Sequence, residues 1–222
     1  MDKPWRYTEQ ACEGVGWCWS LETFMTAQGL FFPVFPDGCC DVIRQTLSCG
    51  KTTVRLLAPT QSGFLFSLES NMCVDGVRLL PEAVHKYTKM SPSDIPDEGL
   101  QQPLSFWDVL NCKLMERGQV CAVVSPLMCG EVFQPTRTLR RYAQRLTSCR
   151  PKELQRMWRL RRAVYKAVSQ PSPNWTDIAF EAGFSDQAHM IRECRDLIGH
   201  TPKTIYNHMN QGDVAVSFNT PI

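Results

Sequence analysis

Apolar positions change their spacing near the middle of the chain. Up to about residue 90 they come in short runs ended by turn signals: Gly14–Leu21, Leu30–Phe35, Cys39–Leu47, Thr52–Leu57, Phe64–Leu68 and Cys73–Leu80. Runs of that length between turns predict strands, and several at near-regular spacing predict a barrel or sandwich. Pro36-Asp37-Gly38 is a turn by mechanism, because proline presets φ and glycine accepts positive φ. A short helix is expected over Pro81–Lys89. Residues 91–103 (SPSDIPDEGLQQP) hold three prolines and three acids and read as a linker.

From Ser105 the spacing becomes helical. Phe106, Val109, Leu110 and Leu114 predict a helix stopped by Gly118, followed by a weaker one over Ser125–Val132 and another over Thr136–Leu146. Pro151 opens a long helix reaching about Ser169, with Leu154, Met157, Arg161, Val164 and Val168 on its inner stripe. Asn174 is placed to cap a helix ending at Gly183, and Ser185 to cap one running from about Asp186 to Ile198. Thr201-Pro202 starts a last helix by the same logic, and the tail is expected to fray. The expected organisation is α+β: a β-rich sensor domain over 1–90, a linker over 91–103, an all-α domain over 104–209 and a tail over 210–222.

Charge sharpens the division. Residues 1–110 carry 8 Lys/Arg against 13 Asp/Glu, and residues 111–222 carry 16 against 9. Between Arg137 and Lys166 there are 11 basic residues and one acid, Glu153. A basic half joined to an acidic one suits a polyanion partner for the former. No apolar run is long enough to span a membrane, and MDKPWRYTEQ lacks the pattern of an export signal, so a cytoplasmic protein without membrane contact is expected. The 11 cysteines contain no CxxC pair and are expected mostly as reduced, packed thiols.

The stretch Thr176–Pro202, TDIAFEAGFSDQAHMIRECRDLIGHTP, carries the chemistry. Ile178, Ala179 and Ala182 face inward on one helix, and Ala179 is small enough for a second helix to cross close by. Gly183 reverses the chain and Phe184 plugs the corner. Met190, Cys194 and Leu197 form the buried stripe of the second helix, which leaves Gln187, Ala188 and Arg192 outward. Two helices crossing at a tight turn, with polar and small residues opening the second, make a helix-turn-helix.

This stretch resembles the second DNA-reading unit of AraC-type bacterial regulators, through Ile178-Ala179, Ala182-Gly183-Phe184, Ser185-Asp186-Gln187, His189, Arg192, Gly199 and Thr201-Pro202. Arg137-Thr138-Leu139-x-Arg141 is similar to the family's first recognition helix, and Pro151-Lys152-Glu153-Leu154 with Arg159-Leu160-x-x-Ala163 to its connecting helix. The first unit departs from the pattern: Cys129, Phe133, Pro135, Ala143 and Ser148 stand where a small residue, a glycine, a serine, an aromatic and a glycine are usual. Cys194 replaces an aromatic in the second.

The resemblance implies a sequence-specific transcription regulator rather than an enzyme, binding double-stranded DNA without a cofactor. Arg137, Arg140 and Arg141 are its candidate base and phosphate contacts in the first unit. Gln187, Ala188 and Arg192 are those of the second, with Ser185, Asp186 and His189 beside them. Arginine can pair with guanine, glutamine with adenine, and alanine can meet a thymine methyl. Arg145, Arg150, Lys152 and Arg156 suit phosphates. His189 is equally suited to packing or capping.

Phe35–Ile43 (FPDGCCDVI) and Gly76–Ala83 (GVRLLPEA) resemble an N-terminal β domain of some AraC-type regulators. The resemblance further implies a small-molecule effector, self-association as a homodimer, and RNA polymerase as a partner. Trp17, Trp19, Phe32, Phe64 and Phe66 are candidates to line a ligand cavity, or equally to fill a core. The competing reading is a small-molecule-binding β domain, or one sensing thiol chemistry or a metal through Cys12, Cys18, Cys39 and Cys40, with a helical region that has lost DNA binding. A metal-dependent barrel enzyme would need clustered histidines, and only His85 of the four lies in the β half.

Overall fold

The computed structural model describes residues 3–12, 15–24, 29–115, 128 and 135–216. Its first half is β1 (Trp5–Cys12), β2 (Gly16–Thr23), β3 (Phe31–Val34), β4 (Cys40–Thr46), β5 (Thr52–Leu57), β6 (Phe64–Ser67) and β7 (Cys73–Leu79). Next come α1 (Val84–Thr88), β8 (Leu100–Gln102) and α2 (Leu104–Met115). The second half is α3 (Arg137–Thr147), α4 (Pro151–Val168), α5 (Trp175–Glu181), α6 (Gln187–Ile198), α7 (Pro202–Gln211) and β9 (Asp213–Val216).

The α+β class and the order of strands before helices are as expected. The β half is an open seven-stranded sheet in the order β8-β5-β4-β7-β2-β1-β9, with β3 and β6 paired separately. Every pairing in the large sheet is antiparallel except that of β9 with β1.

Three strands escaped the sequence reading. In β1 the buried positions are Trp5, Tyr7 and Glu9, alternating with exposed Arg6, Thr8 and Gln10. The alternation is regular, but a glutamate fills an apolar slot and hides the period. Residues 91–103 are not a linker: Pro92–Asp94 is a turn of 3₁₀ helix, Ile95 is buried, and Leu100–Gln102 pairs with β5. Prolines and acids there shape a tight return of the chain instead of separating domains. Nor do residues 210–216 fray. Gly212 lies against the Trp5 ring with no room for a Cβ, and the chain continues as β9 along the open edge of β1, satisfying its backbone groups.

The helices follow their predicted caps with one exception. Asn174 and Thr201 each accept a hydrogen bond from a first-turn backbone amide, and so does Thr136, which the sequence reading took as the first helical residue. Ser185 does not cap α6. Asp186 does, its Oδ1 2.6 Å from the His189 amide, because a carboxylate is the stronger acceptor at the positive end of a helix. The predicted helix Ser125–Val132, its Cys129, and Phe133 and Gly118 fall outside the described residues, apart from Met128, which is buried.

One core runs through both halves. Trp17, Val42, Leu56 and Leu79 of the sheet are continuous with Leu154, Met157 and Val164 of α4, and onward to Ile178, Met190 and Ile205. A smaller cluster of Trp5, Tyr7, Leu21, Phe32, Leu68, Met72 and Val74 fills the space between the sheet and the β3–β6 pair.

Candidate nucleic-acid interface

The turn between α5 and α6 is built as the residue types demand. Asn174 Oδ1 accepts from the amides of Thr176 at 3.1 Å and Asp177 at 3.4 Å, fixing the start of α5. Ile178 and Ala179 are buried. Gly183 takes φ +86°, and Phe184 folds back to donate from its amide to the Ala179 carbonyl at 2.9 Å. A residue the sequence reading did not single out for this turn secures it: Arg159 of α4 places its guanidinium 4.6 Å from the centre of the Phe184 ring and donates to the Gly183 carbonyl at 3.2 Å.

Met190, Cys194, Leu197 and Ile198 bury the back of α6. Its front carries exposed Ser185, Asp186, Ala188 and Arg192 and half-buried Gln187. Gln187 Oε1 accepts from Thr176 Oγ at 3.3 Å, which holds the amide at the mouth of the unit. His189 is a scaffold group. Its ring stands edge-on to Phe184 at 5.4 Å, and its Nδ1 is 3.0 Å from Ser185 Oγ. Hydrogen bonding to the His189 amide, then to Ser185, holds the Asp186 carboxyl below its ordinary pKa.

In the first unit Thr136 caps α3, and Ala143 and Thr147 anchor it in the core. Ser148 ends α3 at φ +56°, in the left-handed conformation the usual glycine would take freely. Its carbonyl accepts from Gln144 at 2.9 Å and from Gln61 of the β half at 3.1 Å, which offsets the strain. Arg137, Arg140, Arg141, Arg145, Arg150 and Lys152 are all exposed. Arg140, Arg141, Gln144, Arg145, Arg150 and Pro151 line an open groove of about 490 Å³. Arg156 is a correction to the expected phosphate contacts, because it ion-pairs with Glu193 at 2.5 Å and Asp196 at 3.4 Å and so clamps α6 to α4.

Residues 128–207 match the family model of a helix-turn-helix domain. This stretch of the chain is a helix-turn-helix domain. No curated protein matches the chain. Among solved structures, apo ToxT K231A from Vibrio cholerae strain SCE256 is 11% identical, with 92% of this chain and 97% of that one covered at a TM-score of 0.44. A 1.65 Å structure of ToxT from Vibrio cholerae is likewise 11% identical, covering 93% and 99% at 0.44. Wild-type ToxT from strain SCE256 with an unsaturated fatty acid bound is 11% identical, covering 90% and 96% at 0.41.

The helix-turn-helix domain meets the β half through a buried ionic cluster. Arg161 of α4 bonds both carboxylate oxygens of Glu9 at 2.6 Å and lies 3.4 Å from Asp37. Arg78 reaches Glu9 at 2.9 Å, Asp37 at 2.8 Å and Asp41 at 3.6 Å. Asp37, Asp41 and Arg78 come from the two β-half motifs singled out in the sequence, so those motifs are the socket that receives the long helix. Burial pushes the Glu9 carboxyl up, but Arg161, Arg78 and the Tyr7 hydroxyl outweigh it and hold Glu9 below the ordinary carboxylate range. Asp41 goes the other way, raised by burial and by Asp37 against the pull of Arg78.

Beside this cluster lies a cavity of about 310 Å³ lined by the candidates Trp19, Phe32, Phe64 and Phe66, with Leu21, Ile43 and Val74. Asp41, Arg78, Arg161 and Tyr165 form its polar end. Trp17 is not at the cavity. It packs 5.0 Å from Trp158, whose indole donates to the Asp37 carbonyl at 2.8 Å, because the long helix covers that end of β2. Among the described residues no group of three or more His, Cys, Asp or Glu could hold a metal, and no helix is long and apolar enough to cross a membrane.

Proposed function

We propose that the protein is a sequence-specific DNA-binding transcription regulator acting in the bacterial cytoplasm, with α6 and α3 as its two reading heads. The observation that carries this is the outward face of α6. Ala188 and Arg192 are exposed on a helix whose opposite face is wedged in the core, beside a capped turn of helix-turn-helix form. The 18 residues of α4 span about 27 Å at 1.5 Å per residue, close to the roughly 34 Å between successive major-groove faces. Arg192 and Gln187 are assigned to bases, and Arg137, Arg140 and Arg141 to bases and phosphates of the next groove. Arg145, Arg150 and Lys152 are assigned to phosphates.

The cavity supports an effector role. Its body is aromatic and aliphatic, and its polar end is shared with Arg161 and Tyr165 of the connecting helix, so an occupant would touch both halves at once. Self-association and contact with RNA polymerase remain proposals by family resemblance, and no catalytic role is assigned.

Fluorescence anisotropy against DNA from upstream of the protein's own gene tests the reading. Affinity is expected to fall steeply with salt, as several counterions are released. Arg192→Ala is expected to cost about 1–3 kcal/mol on the preferred site and to relax its selectivity at one base pair. A salt-independent affinity, or unchanged selectivity in that variant, would sink it.

A further inference from the structure

The β1–β2 hairpin carries a feature that DNA binding does not use. Residue pairing sets Gln10 opposite Cys18 and Cys12 opposite Gly16, so the two cysteines are diagonal neighbours on one face. The turn is closed by the Val15 amide donating to the Cys12 carbonyl at 3.0 Å. The thiol sulfurs lie 2.9 Å apart. Both side chains are half-buried, and Cys18 lines an open groove of about 820 Å³. A reagent in solvent therefore has a route to the pair.

We infer that Cys12 and Cys18 are a redox-active dithiol that a hydroperoxide converts to an intrachain disulfide across the hairpin. Four of the other six described cysteines set the contrast. Cys39, Cys40, Cys149 and Cys194 are buried, and burial pushes Cys149 up to about 11 and Cys194 to about 12. Cys12 is lowered to about 7 by the hydrogen bond from the Cys18 thiol, and Cys18 is raised in return, the pattern of one attacking and one resolving thiol.

The chemistry balances with a hydroperoxide as the sole oxidant. The Cys12 thiolate attacks the distal oxygen of hydrogen peroxide, the O–O bond breaks, and the departing hydroxide takes a proton to become water. Cys18 sulfur then attacks the resulting Cys12 sulfenic acid. The S–S bond forms, the S–O bond breaks, and the oxygen leaves as water with the Cys18 proton. Each sulfur is oxidised by one electron and the peroxide is reduced by two.

The full chain, freshly reduced, is treated with hydrogen peroxide, quenched with N-ethylmaleimide and digested without reduction by a protease cutting after glutamate. Glu9, Glu13 and Glu22 place Cys12 in Gln10–Glu13 and Cys18 in Gly14–Glu22, one cysteine in each. The expected product is these two peptides joined, separating on reduction. Recovery of both as alkylated thiols, or Cys12 joined to another cysteine, overturns the inference. In Cys18→Ser the sulfenic acid has no resolving partner, so dimedone is expected to label Cys12 several-fold more than in the unaltered protein. Equal labelling in the two proteins also overturns it.

Discussion

Glu9 concentrates the physics of this molecule in one side chain. It accepts from Tyr7 at 2.6 Å and faces Arg78 and Arg161 while almost wholly removed from water. Removing one member of such a buried group leaves the others uncompensated, which typically costs 3–5 kcal/mol. Glu9→Gln is therefore expected to lose about 3 kcal/mol in urea unfolding at pH 7. The sign with pH follows from its depressed folded pKa. The carboxylate stabilises the fold fully above the unfolded value of roughly 4.3 and loses that contribution as pH falls through the lower folded value. The gap between the unaltered protein and the variant should close over that acidic window. A gap that stays constant down to pH 2 would show that Glu9 acts through packing alone. Asp41, with its raised pKa, contributes oppositely: its proton favours folding below the unfolded value, and that contribution is lost as pH rises through the folded one.

At the scale of elements, the α5–α6 unit is decided by its turn. A Cβ on Gly183 would meet nothing closer than Arg159 Cδ at 3.7 Å, so space is not the constraint. The backbone is, because φ +86° disfavours any L side chain by about 1–2 kcal/mol. Gly183→Ala should lower stability by about that amount. It should also weaken DNA binding beyond what the lost stability explains, because relaxing the turn moves α6. Parallel urea and anisotropy measurements check both, and unchanged values in both would mean the turn tolerates alanine. The clamp of Arg156 on Glu193 and Asp196 shows why a basic stretch overstates its phosphate contacts: some arginines are spent holding helices together.

For the whole molecule, the docking of residues 91–103 against the sheet matters most. Residues 91–103 return to the sheet, β9 closes its far edge, and α4 sits in the socket made by Glu9, Asp37 and Arg78. A core continuous from Leu56 to Met190 should unfold as one unit. Tryptophan fluorescence, reporting the packing around the six tryptophans spread over both halves, and far-ultraviolet circular dichroism, reporting mainly the helices, are expected to give coincident urea transitions. Two separated transitions would show that the halves are independent domains.

The sequence by itself determined what depends on near neighbours along the chain. The caps at Asn174 and Thr201, the reversal at Gly183, the buried stripe of α6 and its outward arginine all follow from spacings of a few residues, where local sterics and helix geometry leave little choice. The aromatic residues of the cavity were legible as candidates because β alternation brings them to one face, although Trp17 shows that alternation cannot say which end of a strand a helix will cover. Only the tertiary structure decided the rest. That Glu9, Asp37, Arg78 and Arg161 share one buried site and that Gly212 lets Asp213–Val216 lie beside β1 depend on where separate elements dock. Docking is set by burial and charge pairing summed across the fold, which no local pattern encodes.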